Sequence, residues 1–266
     1  MSGESEIAER ATTAAGDRIT VRECESIEEF DGCVELQREA FGLPDLELSP
    51  RRHLIVARSA GGFVLGAFDG ARLVGFVLNQ VAARGREIIG YSHMMAVAHA
   101  YQNRGIGARL KWAQRERSLA QGSRFIKWTW DPMQARNAHF NINRLGVGVK
   151  TYAANFYGTD YAVPAGESGK QHGIDSDRLV AAWELDSPKV AALARGEAPA
   201  SHGEPEAFVS VPPRWGALMR DDPEAARREQ LRVREEFQRA FAAGLVCAGF
   251  ERDLEAPRYL FYRENG

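Results

Sequence analysis

The chain has 266 residues, enough for one large domain or two small ones and for a sizeable apolar core. Its 34 Lys and Arg against 36 Asp and Glu leave a net charge of −2, so there is no overall basic field and no nucleic-acid partner is expected. Cys24, Cys33 and Cys247 form no C-x-x-C pair and suit free thiols in a reducing compartment. No apolar run approaches the ~20 residues of a membrane span, so a cytoplasmic protein with no membrane partner is expected.

Residues 1–17 are acidic and rich in Ala and Thr and read as a disordered tail. Residues 19–23 alternate as a strand. Ser26, with Glu29 three residues on, forms a capping-box pattern ahead of a helix that reaches Phe41 and is stopped by Gly42-Leu43-Pro44. A second short helix is expected at 50–58. The strand-like runs 62–68 and 73–78 flank Asp69-Gly70, a strong hairpin signal. Residues 91–98 read as the next strand, and a helix over 105–121 follows, ended by Gly122. Then come a strand at 125–130, a break at Asp131-Pro132, a helix at 134–145, and strands at 147–157 and 179–185 joined by a polar, glycine-rich connection. The predicted domain is therefore 18–187. Beyond it, 188–205 reads as a linker, and 206–266 as a β-α-β-β extension too small to bury much surface unless it packs on that domain.

The most informative stretch is Gln102-Asn103-Arg104-Gly105-Ile106-Gly107, set between a strand and a helix. Two glycines let the main chain turn and approach a ligand where a Cβ would collide, and the helix that follows presents free amides and a partial positive charge to phosphate oxygens. A pyrophosphate cradle is the reading. No G-x-x-x-x-G-K-[ST] occurs anywhere, and Leu110 stands where G-x-G-x-x-G needs its last glycine.

What remains, Q-x-x-G-x-G after Met95-x-Val97-x-His99-x-Tyr101, closely resembles the acyl-coenzyme A signature of the GNAT (Gcn5-related N-acetyltransferase) superfamily, with His99 in place of the usual proline. The order of elements over 18–187 is similar to the GNAT order. The run from Trp128 to Asn141, with Asn155-Phe156-Tyr157-Gly158 and Asp177-Arg178-Leu179, resembles a long-form bacterial branch of predicted acetyltransferases.

The resemblance implies an α/β (α+β) GNAT fold: a mixed central sheet splayed between its fourth and fifth strands and flanked by helices. It also implies acetyl-CoA or another acyl-CoA as co-substrate, held by Gln102, Asn103, Arg104, Gly105, Ile106 and Gly107. Met95, Ala96 and Val97 would lie along the acyl-pantetheine arm, with Asn137 also on that arm or capping its helix. His93 is the candidate base, since an imidazole of pKa ~6.5 suits proton relay near neutrality; Glu87 and Tyr91 share its strand parity. The tyrosine that many members use as general acid is Ile142 here, which leaves Tyr157, then Tyr152, as substitutes. Arg136, with Arg144 two turns on, suits capture of a carboxylate on the acceptor or on the acyl group. No His spacing suits a metal and no cysteine has a neighbouring His, so no metal and no acyl-enzyme are expected. The activity implied is direct acyl transfer to the amine of a small molecule, with a homodimer left open. The alternatives are a coenzyme A-binding sensor or accessory module, and acylation of a protein amine.

Overall fold

The structure, a computed structural model, describes residues 18–161 and 173–263; the expected tail at 1–17 and part of the connection ahead of residue 179 lie outside the described residues. The chain divides into two compact units: Met1–Val81 with Ser92–Arg117, and Ala82–Tyr91 with Ser118–Gly266.

The first unit contains strands β1 (Ile19–Glu23), β2 (Phe63–Asp69), most of β3 (Arg72–Arg84) and the second half of β4 (Glu87–Val97), in the order β1-β2-β3-β4. Its helices are α1 (Ile27–Phe41), α2 (Arg51–Ser59) and α3 (Ile106–Ala120). The capping box forms as expected: Ser26 Oγ accepts from the Glu29 amide at 3.2 Å and Glu29 Oε2 accepts from the Ser26 amide at 3.3 Å. Gly42 closes α1 at φ 60°. In the β2–β3 hairpin Asp69 pairs with Arg72, so the two-residue turn is Gly70-Ala71, one residue beyond the expected Asp69-Gly70. Gly70, at φ 59°, supplies the left-handed conformation such a turn needs.

Both faces of this sheet are covered. Phe30, Cys33, Leu36, Leu54, Phe68 and Phe76 form one buried cluster with α1 and α2, and Phe63, Leu65, Val74, Val77, Ile106 and Leu110 form another with α3. Cys24 and Cys33 are fully buried, and the neighbouring Cys24 together with burial pushes the Cys33 thiol far above its ordinary range. Such thiols are poor nucleophiles.

In the second unit β4 runs parallel to β5 (Phe125–Trp130) through Gly90↔Ile126 and Tyr91↔Lys127. The other described pairings of this mixed sheet are antiparallel, in the order β4-β5-β7-β6-β9-β10-β8, with β6 at Gly148–Ala153 and β7 at Arg178–Glu184. The predicted helix at 134–145 is one α-helical turn, α4 (Ala135–Ala138), continued as a π-helix over His139–Arg144. Where the composition suggested a linker from 188, helix α5 (Pro188–Ala194) forms instead. Ser187 caps it by accepting from the Val190 amide, Pro188 opens it, and Val190 is buried.

The C-terminal segment contains β8 (Ala207–Ser210), α6 (Trp215–Asp221), α7 (Pro223–Ala242), β9 (Leu245–Glu251) and β10 (Arg258–Arg263), one helix more than the expected β-α-β-β. Trp215, 4 % exposed, is the apolar anchor that turns a presumed loop into α6. This segment continues the sheet edge to edge, since Cys247 of β9 pairs with Val149 of β6, and Phe237 of α7 packs on Tyr259 and Phe261 at 4.9 and 5.2 Å. Pairing and burial are how so short a segment is stabilised.

Gly62, just before β2, has no room for a side chain: a Cβ there would lie 2.3 Å from the Asn79 carbonyl oxygen and 2.8 Å from that of Ala57. Gly62→Ala is expected to destabilise the protein by at least about 2 kcal/mol, because both obstacles are backbone. Urea denaturation with unchanged midpoint would show that this crossing yields freely.

Candidate functional site

The candidate site in the first unit starts at β4. A regular strand sends successive side chains to opposite faces. Ser92 points toward α3, where its hydroxyl accepts from Lys111 Nζ at 2.9 Å, and Met95 and Val97 pack in the α3-side cluster. His93 and Met94 both face the other side: Met94 joins the cluster of α1 and α2, and His93 meets Ser49 and His53. Two consecutive residues on one face mark a bulge at His93-Met94.

Beyond the bulge, the Ala98 amide donates to Val74 O of β3, and Ala96 O lies 3.1 Å from where a Gly75 Cβ would stand. Backbone groups of Ala96 therefore face β3, and those of Met95 and Val97 face the free edge of this unit's sheet. Gln102 uses that edge, its Nε2 donating to Val97 O at 3.1 Å. Of the three residues expected along a pantetheine arm, Met95 and Val97 offer main-chain groups to a ligand, whereas Ala96 is 3 % exposed and engaged with β3.

The loop after β4 is held from two sides. Tyr101 donates its hydroxyl to Asp69 of the hairpin turn at 2.8 Å, and the His99 amide donates to Glu39 Oε1 of α1 at 2.5 Å. A proline at 99 would lack that amide. Asn103 and Gly105 then take left-handed conformations, φ 63° and 79°, and α3 begins at Ile106. Gly107 already lies in the helix, so the left-handed turn rests on Asn103 and Gly105, not on the pair of glycines. The first turn of α3 contains no acidic residue, a Cβ on Gly105 would meet nothing within 4 Å, and Arg104 is exposed beside the Tyr101 ring at 5.1 Å. This cradle fits a pyrophosphate: amides and a helix N-terminus face outward with no carboxylate of their own at that end.

His93 is partly buried in a group the sequence did not reveal. Its Nε2 lies 3.3 Å from Ser49 Oγ, which is 3.0 Å from His53 Nδ1, and His53 Nε2 lies 2.5 Å from the Gln80 side-chain amide. Ser49 is fixed by the fully buried Gln37, which accepts from its amide at 2.8 Å and donates to its carbonyl at 3.1 Å. A hydroxyl between two imidazoles can accept from one and donate to the other, so the chain His93–Ser49–His53 can pass a proton. Burial first, and then the neighbouring His53, lower the His93 pKa below 6.5, which keeps the imidazole neutral at pH 7. In the sequence, only Ser49 and His53 standing four residues apart at the start of α2 hinted at this, and that spacing is common.

The remaining sequence candidates lie in the second unit. Glu87 is paired with Arg84 at 2.6 Å on the surface, as a solvated carboxylate would be. Tyr91 is partly buried, and burial raises its hydroxyl above the ordinary tyrosine range. Tyr152 donates to the buried Asp177 at 2.6 Å; burial and that bond hold its hydroxyl far above the ordinary tyrosine range, which removes it as a proton donor. Tyr157 is 40 % exposed, and its amide donates to Ser176 Oγ at 2.6 Å. Arg136 and Arg144 are exposed, and Ile142 is fully buried in the π-helical stretch. Asn137 is exposed inside α4 and does not cap it; Gln134 holds the N-cap position. Among the described residues no group of three or more His, Cys, Asp or Glu is placed to hold a metal ion, and no helix is long and apolar enough to cross a membrane.

Residues 30–143 match the family model described as the acetyltransferase (GNAT) family. This stretch, less than half of the chain, is thus similar to the GNAT acetyltransferases, a family that uses acetyl-CoA. Among solved structures, the ribosomal-protein-S18-alanine N-acetyltransferase from Escherichia coli superposes with a TM-score of 0.50 at 15 % identity, covering 63 % of this chain and 94 % of its own, which shows the shared fold. A GNAT-family acetyltransferase from Streptococcus pneumoniae gives 0.48 at 17 % identity over 62 % of this chain and 98 % of that one. One from Elizabethkingia anophelis with acetyl-CoA bound gives 0.46 at 17 % identity over 63 % and 99 %. No curated protein sequence matches the chain.

The geometry around His93 sets a pH expectation. Followed by NMR, the His93 imidazole should titrate with a midpoint below pH 6.5. His53→Gln should raise that midpoint only part of the way, because burial is the larger cause. A wild-type midpoint at or above 6.5 would contradict the buried environment described.

Proposed function

We propose that the protein is an acyl-CoA-dependent N-acyltransferase, acetyl-CoA being the first donor to test, that transfers the acyl group directly to the amine of a small molecule. The observation that carries this reading is the left-handed turn at Asn103 and Gly105 ahead of α3, after the second half of β4, whose Met95 and Val97 main-chain groups face away from β3. Amides of Gly105, Ile106 and Gly107, with Gln102, Asn103 and Arg104 around them, would hold the pyrophosphate. When bound, the co-substrate supplies an activated acyl thioester. The Met95 amide is the group suited to polarise its carbonyl.

His93, neutral at pH 7, takes the proton of the attacking amine, and Ser49 and His53 accept the charge it acquires. The departing thiolate takes its proton from water. The buried, inert Cys24 and Cys33 support direct attack over a covalent acyl-enzyme. A near-balanced charge supports a small acceptor over a polyanionic partner. A second reading, a coenzyme A-binding module with little turnover, is favoured by Ile142, which is fully buried where many family members have a tyrosine.

Thiol release from acetyl-CoA across a panel of amines tests the first reading. Binding without release on any amine would favour the second. Gly107→Glu should abolish acetyl-CoA binding in calorimetric titration while the protein stays folded, since Gly107 is helical and an acidic first turn suits a helix, yet its charge would oppose a phosphate whose amide bonds are worth about 1.5 to 3 kcal/mol each. Unchanged affinity would remove the cradle. His93→Ala should lower kcat at least tenfold with little change in the dissociation constant for acetyl-CoA. A variant with normal turnover would return His93 to a packing role.

A further inference from the structure

A guanidinium in the second unit has no counterpart in the reading above. Arg178 begins β7, directly after the buried Asp177. The two side chains have different partners: Asp177 meets Arg234, at 2.7 Å, and Tyr152, and Arg178 turns to the Tyr157 ring. There its guanidinium carbon stands 5.1 Å from the centre of the Tyr157 ring. Tyr157 in turn stacks on Tyr161 at 4.7 Å and 24°, meets Phe156 edge-on at 4.7 Å, and lies within electrostatic range of Tyr91.

Among the described residues this guanidinium forms no hydrogen bond and no ion pair, and its Nε is buried without a partner. Other buried or partly buried arginines among the described residues are answered: Arg115 has Glu116, Arg234 has two aspartates, and Arg232 has Glu229 and Glu236. Burial raises the Tyr91 hydroxyl and the Asp131 carboxyl above their usual ranges, and at both the Arg178 charge opposes that shift. A half-buried guanidinium with an unpartnered Nε, set beside a tyrosine ring that itself stacks on a second, is suited to a planar anion with a flat apolar body.

We propose that Arg178, with Tyr91, Tyr157 and Tyr161, forms a binding site for a small carboxylate bearing an aromatic or similarly flat apolar group. Carboxylate oxygens accept from the guanidinium, and the ligand's apolar part lies against the tyrosines. Arg136 and Arg144, by contrast, are exposed.

The test uses the full chain and needs no turnover, so its failure is separate from failure of the acyltransferase reading. Phenylacetate, hippurate and L-phenylalanine are each compared with the corresponding amide by calorimetric titration. At least one acid should bind at least tenfold more tightly than its amide, and Arg178→Gln should abolish that preference. Arg178→Lys keeps the charge but loses the planar fork, and should retain only part of it, with circular dichroism confirming that both variants fold. If no acid binds better than its amide to the wild-type protein, or if the preference survives in a folded Arg178→Gln variant, the site does not exist.

Discussion

Side-chain alternation along β4 fails once, between His93 and Met94, and the arrangement of the first unit depends on that slip. Ser92 lies on the α3 side; His93 and Met94 both turn to the side of α1 and α2; Met95 and Val97 return to α3. In an unbroken strand His93 and Met95 would share a face, and the imidazole would lie among Ile106, Leu110 and Val74, far from any hydroxyl. The bulge costs one irregular pair in the ladder and gains a histidine opposite Ser49. It also sets the phase of the backbone beyond it, so that Met95 and Val97 present their main chain to the open edge and Ala96 does not.

Buried polar groups in this unit are held in closed sets. Lys111, 2 % exposed, donates to Ser92 Oγ and Gln114 Oε1, both at 2.9 Å, and Gln114 donates to Asn79 at 2.9 Å, so α3 is tied to β3 and β4 by hydrogen bonds inside the core. Burial lowers the Lys111 pKa well below the ordinary lysine value. Gln37 does the same service for Ser49, and Asn143 for Phe250 in the second unit, donating to its carbonyl at 2.7 Å and accepting from its amide at 3.1 Å. One side-chain amide replaces a missing ladder pair in each case, which is how an irregular segment stays buried without an unpaired backbone group.

In the second unit the adjacent Asp177 and Arg178 have separate partners. Asp177, with Asp175, satisfies Arg234 of α7, and Gln230 of the same helix bonds the Asp175 backbone at 2.6 and 3.0 Å. This polar contact fastens α7 beside the start of β7. Arg178 is left facing the tyrosines.

Much of the fold was legible because it is local. The Ser26 and Glu29 capping box, the Gly42 stop, the hairpin near Gly70 and the turn before α3 each depend on residues within a few positions of one another. The proposed pyrophosphate cradle belongs to the same class, since its amides come from consecutive residues. Composition misread 188–194 as linker because Ala, Gly and Pro are shared by connections and by short capped helices, and burial of Val190 decides between them. Nothing local could place β7 between β5 and β6, show that Gln37 fixes Ser49, or put His53 beside His93, because those contacts join residues 12 to 60 positions apart and exist only once the sheet is assembled. The sequence by itself determined the order of elements and the chemistry of the loop after β4. Tertiary structure decided which face each β4 side chain takes, and with it which histidine meets which hydroxyl, because a one-residue bulge reverses facing without leaving a mark in hydrophobic periodicity.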